Sequence, residues 1–470
     1  MMLRLSSYFI LSDRLKDGGY AVLSGLSGAI ELINDDLYRL FDELIRTGDP
    51  HELYIEESML PPDILATFLK RGHITYISHE EERAYLENVA AILHESAIEH
   101  PGVVIVPNMD CNYRCVYCFE KPLQTKLQSG KTMMDKDNVD AVYRSISQLE
   151  SKVGKISETI TLFGGEPLMS ANRDIVQYIV EKGLERGLRF SAITNGHDLS
   201  LFMPLLGKNG IKRLQITIDG IKSVHDKRRI SLDKCSSYER IVGNMRKAVA
   251  ETDVQITIRI NLDRDNFQSF GALIDDFKKE GWLNNKRIFI NAAIVELRDN
   301  EGAVFSSQDI NIIRAELSSL IKDYSNIAIG SEQSANGDIV FYSLLSGKPY
   351  SLRSCYCAAS SGMYIFLPNG NISACWESLD DECGLIGCYS QNGLQLDDSK
   401  SQRFFGRSAA KIPACADCKY CLVCAGGCPL HAKYNSGDIY SPHCGDFPQT
   451  YAWVLADAVQ KFLKTTVYET

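Results

Sequence analysis

From about residue 100 onward, short apolar runs alternate with longer segments whose apolar positions recur at helical spacing. Val103-Val104-Ile105-Val106 reads as a short buried strand. Thr159 to Phe163, Phe190 to Ile193, Leu214 to Ile218, Val254 to Ile260 and Arg287 to Val295 read as further strands. The segments Asp135 to Lys152, Arg173 to Arg186, Tyr238 to Ala250 and Phe267 to Glu280 lie between them and read as helices. Strands alternating with helices of this length predict a parallel sheet with right-handed crossovers. Six such units fill the chain from about residue 100 to about residue 325. Polar residues gather where the strands end, at Gly164-Gly165-Glu166-Pro167, Thr194-Asn195-Gly196, Asp219-Gly220 and Asn261. In parallel α/β architectures those carboxyl ends are where ligands bind.

The N-terminal hundred residues carry a different pattern. Tyr8 to Leu11, Tyr20 to Leu23 and Gly28 to Ile33 read as strands of a small sheet. Asp35 and Asp36 are placed to cap a helix bearing Leu37, Leu40, Phe41 and Leu44. A second helix, Pro61 to Lys70, runs into Arg71-Gly72-His73-Ile74-Thr75-Tyr76-Ile77. Glu80 to His94 reads as a helical linker. The predicted modules are residues 1–85, a linker at 86–99, an α/β unit with a parallel sheet at 100–330 and a cysteine-rich domain at 331–470.

Cysteine spacing changes the picture most. Cys111, Cys115 and Cys118 lie in Cys111-Asn112-Tyr113-Arg114-Cys115-Val116-Tyr117-Cys118, three thiols on one short loop. A zinc knuckle would want a fourth Cys or His nearby, and the next one in the chain is His197. A [4Fe–4S] cube held by three cysteines leaves one iron open to a small molecule. The C-x3-C-x2-C spacing, with Tyr117 before its last cysteine, resembles the signature of the radical S-adenosylmethionine (SAM) superfamily. That resemblance implies a partial (β/α)6 TIM-type barrel in which SAM chelates the open iron. One electron then cleaves SAM to methionine and a 5′-deoxyadenosyl radical. It also implies that Gly164, Gly165, Glu166 and Pro167 hold the SAM amino group, with Gly165 and Glu166 the closest candidates. Asp219-Gly220 followed by His225-Asp226-Lys227-Arg228-Arg229 resembles the family's DG…HDxxR stretch, which makes Arg229 the candidate contact for the SAM carboxylate. Thr194 and Asn195 are candidates for lining the nucleoside.

The chain has 15 cysteines, and all but Cys111, Cys115, Cys118 and Cys235 follow residue 350. The apolar runs near the N-terminus are broken by Arg4, Asp13, Arg14 and Lys16, unlike a signal peptide. A cytoplasmic, reducing compartment turns dense cysteines into metal ligands rather than disulfides. Cys355, Cys357, Gly370-x4-Cys375, Cys415-x2-Cys418-x5-Cys424-x3-Cys428 and Cys444 resemble a SPASM domain, the C-terminal extension of many radical SAM enzymes. The resemblance implies two auxiliary [4Fe–4S] clusters. The first would use Cys355, Cys357, Cys375 and Cys428, the second Cys415, Cys418, Cys424 and Cys444. Cys418-x2-Cys421-x2-Cys424-x3-Cys428-Pro429 also has ferredoxin-like spacing, in which Cys421 replaces Cys415, and both alternatives stand. Cys235, Cys383 and Cys388 read as free thiols.

Residues 1–85, ending in Phe68-Leu69-Lys70-Arg71-Gly72-His73-Ile74, resemble PqqD-like domains. These are small α+β, winged-helix-like modules that grip a precursor peptide, often as an added strand. Net charge of −10 without a basic run argues against nucleic acid as the partner. No run approaches the ~18 apolar residues that a membrane span needs. The expected function is that of a radical SAM peptide maturase with SAM and three [4Fe–4S] clusters. It would install a carbon–carbon or carbon–sulfur crosslink in a ribosomally made precursor, with a flavodoxin- or ferredoxin-type electron donor. One alternative is an anaerobic sulfatase maturase, whose family places an aspartate directly after its Gly-x4-Cys cysteine, where this chain has Trp376 and then Glu377. The other is a non-catalytic iron–sulfur electron carrier.

Overall fold

The computed structural model describes residues 2–49, 52–120, 132–295, 307–330, 332–379, 381–445 and 447–467. The chain divides into two compact units. One, the cysteine-rich unit, is made of Met1–Ile98, Glu332–Ser361 and Phe405–Thr470. The other, the sheet unit, is made of Glu99–Ser331 and Gly362–Phe404.

In the cysteine-rich unit, β1 (Arg4–Leu5) pairs antiparallel with a later strand, Ile74–Thr75. The strands β2 (Phe9–Leu11), β3 (Tyr20–Ser24) and β4 (Ile30–Ile33) form an antiparallel sheet in that order; Ile74–Thr75 is β5. The helix Asp35–Thr47 is capped by Asn34, whose side chain accepts from the Leu37 amide. Asp35 and Asp36, expected as caps, occupy the first turn instead, where the exposed amides of the helix favour negative charge. The helix Pro62–Arg71 stops at Gly72, whose φ of 75° is the left-handed turn that glycine permits without strain. Phe41 and Phe68 meet Phe9, Ile33 and Ile74 in the core beneath the sheet.

The segment read as a linker is the helix His79–Ile98, and it is packed rather than bridging. Its Leu86 and Ala90 are buried against Ile412, Leu422 and Ala425 of the cysteine-bearing segments. Ile10, Ala21 and Leu23 of the small sheet share a second core with Tyr420, Tyr451 and Leu455. The N-terminal segment and the cysteine-bearing C-terminal segments therefore fold as one body.

The sheet unit holds β6 (Gly102–Ile105), β7 (Tyr113–Cys115), β8 (Thr159–Leu162), β9 (Arg189–Thr194), β10 (Ile211–Thr217) and β11 (Arg229–Ser231). It continues with β12 (Gln255–Leu262), β13 (Ile288–Ile294), β14 (Ile327–Gly330), β15 (Met363–Phe366), β16 (Asn371–Ser373), β17 (Leu385–Ser390) and β18 (Gly393–Leu396). Eleven of these form one sheet in the order β14-β13-β12-β10-β9-β8-β6-β15-β16-β17-β18. The run from β14 to β15 is parallel throughout, and β16 to β18 complete an antiparallel meander. All six strands predicted from the alternation are present, with β14 added at one side and β15 at the other. Residues 362–404, read as part of the cysteine-rich domain, extend this sheet instead. The sheet is an open, mixed α/β sheet, with β14 and β18 as its edges. Among the described residues, no helix is long and apolar enough to cross a membrane.

Candidate active site at the strand ends

The cysteine loop is seated on the end of β8. Gly164 has a φ of 116°, and a Cβ there would lie 2.5 Å from Val106 and 2.7 Å from the Asn108 carbonyl oxygen. A Cβ on Gly165 would lie 2.3 Å from the Asp110 carbonyl oxygen. These glycines thus admit the backbone leading into Cys111, a role within the chain itself rather than one read from ligand approach. The amide of Gly165 donates to Asn108 (3.2 Å) and that of Glu166 to Asp110 (3.0 Å). Asn172 closes the seat by donating to the Glu166 carbonyl at 2.8 Å and accepting from Asn108 at 2.8 Å.

Downstream, the loop is pinned by a second strand pair. The short β7 pairs antiparallel with β11, with Arg229 opposite Cys115 and Ser231 opposite Tyr113. Cys111 and Cys115 are buried and Cys118 is half-buried. The Tyr113 amide donates to Cys111 Sγ at 3.4 Å, and Asn195 Nδ2 lies 3.8 Å from the same sulfur. Burial pushes the Cys111 and Cys118 thiols up. Among the described residues no group of three or more His, Cys, Asp or Glu side chains could hold a metal ion. A cube spreads its thiolates over different irons, so its ligands need not converge on one point.

Glu166 is 2% exposed and accepts three hydrogen bonds. Its Oε1 takes the Leu168 amide (2.8 Å) and Thr194 Oγ1 (2.5 Å); its Oε2 takes the Asn195 amide (2.6 Å). Burial pushes its pKa up to about 7, against the pull of those donors. The carboxylate therefore ties the end of β8 to the end of β9. One acceptor site remains on Oε2. Asn195 Nδ2 also donates to Asn112 Oδ1 at 2.7 Å, so β9 reaches the cysteine loop through one side chain.

The charged run from His225 to Arg229 is partly inside. His225, Arg228 and Arg229 are all buried. Arg228 holds Asp263 with both terminal nitrogens, at 3.1 and 2.7 Å. Arg229 Nη1 donates to the Tyr117 hydroxyl at 2.8 Å, and that hydroxyl in turn donates to Asp219. Asp219 is held by the Asn261 amide at 3.0 Å, and its carbonyl accepts from Asn266 at 2.7 Å. Burial works against the charge of Arg229, but Cys115, Tyr117 and Asp219 outweigh it and hold the group firmly protonated. Its Nε is buried and has no hydrogen-bond partner among the described residues. A buried guanidinium with a spare donor beside a three-thiol loop fits the carboxylate of an amino-acid ligand such as SAM.

Two neighbours, Asn266 and Glu120, carry no sequence signal. Asn266 donates to the Asp219 and Asn261 carbonyls and so ties two strand ends together. Glu120, two residues after Cys118, is buried with no partner for Oε1 among the described residues, and burial together with Glu166 pushes it up to about 7. Phe163 stacks between Phe119 and Trp376, with ring centroids 6.5 and 5.5 Å apart respectively, so Trp376 forms part of an aromatic wall.

The remaining cysteines are distributed over both units. In the cysteine-rich unit Cys415 interacts electrostatically with Cys424, Cys418 and Cys444. Cys421 also neighbours Cys415, Cys418 and Cys424, but it packs into the apolar core with Tyr8 and Leu86. Cys357 neighbours Cys428. Cys355 Sγ lies 3.1 Å from His94 Nδ1, whose Nε2 bonds the Phe405 carbonyl at 2.6 Å. Cys375 follows β16 in the sheet unit and is buried. Cys235 and Cys388 are exposed and Cys383 is half-buried.

Residues 105–277 match the Radical SAM superfamily. With the α/β sheet and the three-cysteine loop at its strand ends, this gives the chain a radical SAM domain, and radical SAM maturases are among its relatives. The radical SAM cyclopropyl synthase TigE of Paramaledivibacter caminithermalis is 22% identical over 456 residues, covering 92% of this chain and 91% of that relative. The cysteine-type anaerobic sulfatase-maturating enzyme of Clostridium novyi is 23% identical over 69% of this chain and 87% of its own. Among solved structures, native anSMEcpe with bound AdoMet shares the fold, with a TM-score of 0.57 at 16% identity over 79% of this chain and 100% of that chain.

Proposed function

We propose that the protein is a maturase that installs a crosslink, carbon–carbon in preference to carbon–sulfur, in a ribosomally made precursor peptide. The observation that carries this reading is the nearly full-length similarity to TigE, a cyclopropyl synthase and so by name a former of carbon–carbon bonds. Peptide as the substrate class is supported by the sulfatase-maturating relative, whose substrate is itself a protein. In the anSMEcpe series, one structure carries AdoMet together with the Cp18Cys peptide.

Cys111, Cys115 and Cys118 would hold a [4Fe–4S] cluster, which would supply the electron for cleaving SAM. Arg229 takes the SAM carboxylate through its spare Nε, supported from behind by Tyr117 and Asp219. The last acceptor site of Glu166, with Gly165 beside it, receives the amino group. Gly164 and Pro167 shape that turn, and Asn195 lines the nucleoside. One hydrogen atom of the peptide ends in 5′-deoxyadenosine. Closing the bond then releases a second hydrogen as a proton and an electron. Cys355, Cys357, Cys375 and Cys428, and Cys415, Cys418, Cys424 and Cys444, would hold two auxiliary [4Fe–4S] clusters, which would supply an acceptor for that electron. A flavodoxin- or ferredoxin-type protein supplies the first electron. Residues 1–85 receive the precursor along β4, which pairs on one side only among the described residues.

Sulfatase maturation is the second reading, favoured by the C. novyi relative. Against it, Trp376 stands where that family's pattern places its aspartate, and the side chain is engaged with Phe163. The test is to incubate the reconstituted enzyme with SAM, reductant and the product of a short neighbouring reading frame. A crosslinked peptide lighter by two hydrogens supports the proposal. Conversion of a sulfatase-type cysteine peptide to an aldehyde, with the precursor untouched, overturns it.

A further inference from the structure

Arg407 is 1% exposed, one of the largest side chains buried this completely. In the cysteine-rich unit its Nε donates to the Ile439 carbonyl. Nη1 donates to Gly427 at 2.9 Å, and Nη2 to Gly426 at 3.0 Å and Ser441 at 3.2 Å. All four acceptors are backbone carbonyls. No carboxylate pairs with Arg407 among the described residues, unlike buried Arg4, paired with Glu82 at 2.6 Å, or Arg228, paired with Asp263 at 2.7 Å.

Carbonyls orient a guanidinium but do not neutralise it, and a buried charge without a counter-charge is costly. Arginine stays protonated in proteins, so it cannot escape by losing its proton. Foremost among the ionisable groups that act on it are the thiols of Cys415, Cys357, Cys428 and Cys424. Two of these belong to each proposed auxiliary ligand set. Gly426 and Gly427 lie on the loop that runs from Cys424, in the second set, to Cys428, in the first. That loop is tight, since a Cβ on Gly427 would lie 1.9 Å from the His443 carbonyl oxygen. Protonated thiols would leave Arg407 uncompensated. Thiolates bound to iron supply the missing negative charge.

We propose that Arg407 is the common counter-charge of both auxiliary clusters, holding the Cys424–Cys428 loop through its carbonyls and raising the reduction potential of each cluster. This rests on the reading that those cysteines bind clusters. Reduction adds negative charge to a cluster, so a fixed cation in a dry site favours the reduced form. Arg407 is a positioning residue, with no contact to substrate required.

The test uses the full chain carrying C111A, C115A and C118A, so that only auxiliary clusters are observed. Iron is counted after anaerobic reconstitution, and midpoint potentials are taken by titration followed by electron paramagnetic resonance. The R407M variant should keep about eight irons, four for each cube, with both potentials lowered, while R407K should stay near the parent. Loss of iron in R407M but not in R407K also supports a charge role. Unchanged potentials in iron-loaded R407M overturn the proposal, and so does equal iron loss in both variants, which would make Arg407 a purely structural fork. A parent protein that binds no iron defeats the cluster reading itself, before any substitution at Arg407 is compared.

Discussion

Arg229 and Cys115 are direct register partners across the antiparallel β7–β11 pair. The pairing gives one residue of the loop a fixed cation as its neighbour, and the cation in turn is steadied by Tyr117. Two remote stretches of sequence, the cysteine loop and the HDKRR run, are thus brought side by side.

Removing that cation should weaken SAM binding. Arg229→Ala deletes a charge-assisted hydrogen bond of about 2 kcal/mol, or roughly a thirtyfold rise in Kd. Arg229→Lys keeps the charge but loses the fork and should fall between. Anaerobic equilibrium binding of SAM to the reconstituted variants measures this, and an unchanged Kd in the alanine variant would count against the assignment.

Glu166→Gln should loosen the seat beneath the loop. An amide N–H would then face one of the donors from Leu168, Thr194 or Asn195. Leaving one buried donor unmatched costs about 1–3 kcal/mol. Thr194→Ser keeps both the donor to Glu166 and the acceptor for the Gly196 amide, so its effect should be smaller. Urea midpoints rank the two variants, and the reverse order would be inconsistent with Glu166 as the tie between β8 and β9.

His73 offers a pH test. It is fully buried between Phe9 and Phe68, and neither ring nitrogen has a hydrogen-bond partner among the described residues. Burial holds its pKa down, at about 3. An unfolded histidine titrates near ~6.5. Below that pH the unfolded chain takes up a proton that the folded chain refuses, so stability falls as pH drops from ~6.5 toward 3. His73→Phe should add about 1–2 kcal/mol at neutral pH and remove this slope of about 1.4 kcal/mol per pH unit. Denaturation of both proteins at pH 7.5 and 5.5 decides it; parallel losses of stability would show that His73 is not the titrating group.

Cys415→Ala should lose one auxiliary cluster, leaving about eight of about twelve irons, and Cys421→Ala should lose none. The grouping of Cys415 with Cys418, Cys424 and Cys444, and the packing of Cys421 against Tyr8 and Leu86, motivate the difference. Iron and sulfide analysis of the two variants settles which spacing governs.

Much of this was legible in the sequence, because alternation reports burial and helix length directly. Val103 to Val106 and Leu214 to Ile218 announce themselves as strands by composition alone. Met363–Phe366 is equally apolar, yet its neighbour β6 is far away in the chain, and no local pattern says which sheet it joins. The cysteine loop and Glu166 are visible because spacing encodes them. The use of Gly164 and Gly165 to admit Asn108 and Asp110 depends on tertiary approach, as does the Tyr117–Asp219 bond. Arg407 is one arginine among fifty basic residues; only its burial without a carboxylate sets it apart. Asn34 displaced Asp35 as cap because capping depends on which residue leaves the helical backbone conformation, one position earlier than the charge pattern suggests.

The central claim is that Cys111, Cys115 and Cys118 make the chain a SAM-cleaving enzyme. The most direct measurement is 5′-deoxyadenosine formed from SAM and dithionite by the anaerobically reconstituted protein and by its C111A/C115A/C118A variant. The account predicts steady production by the former and none by the latter, with about eight irons retained in the variant. Equal production by both proteins, or none by either when fully loaded with iron, would contradict it.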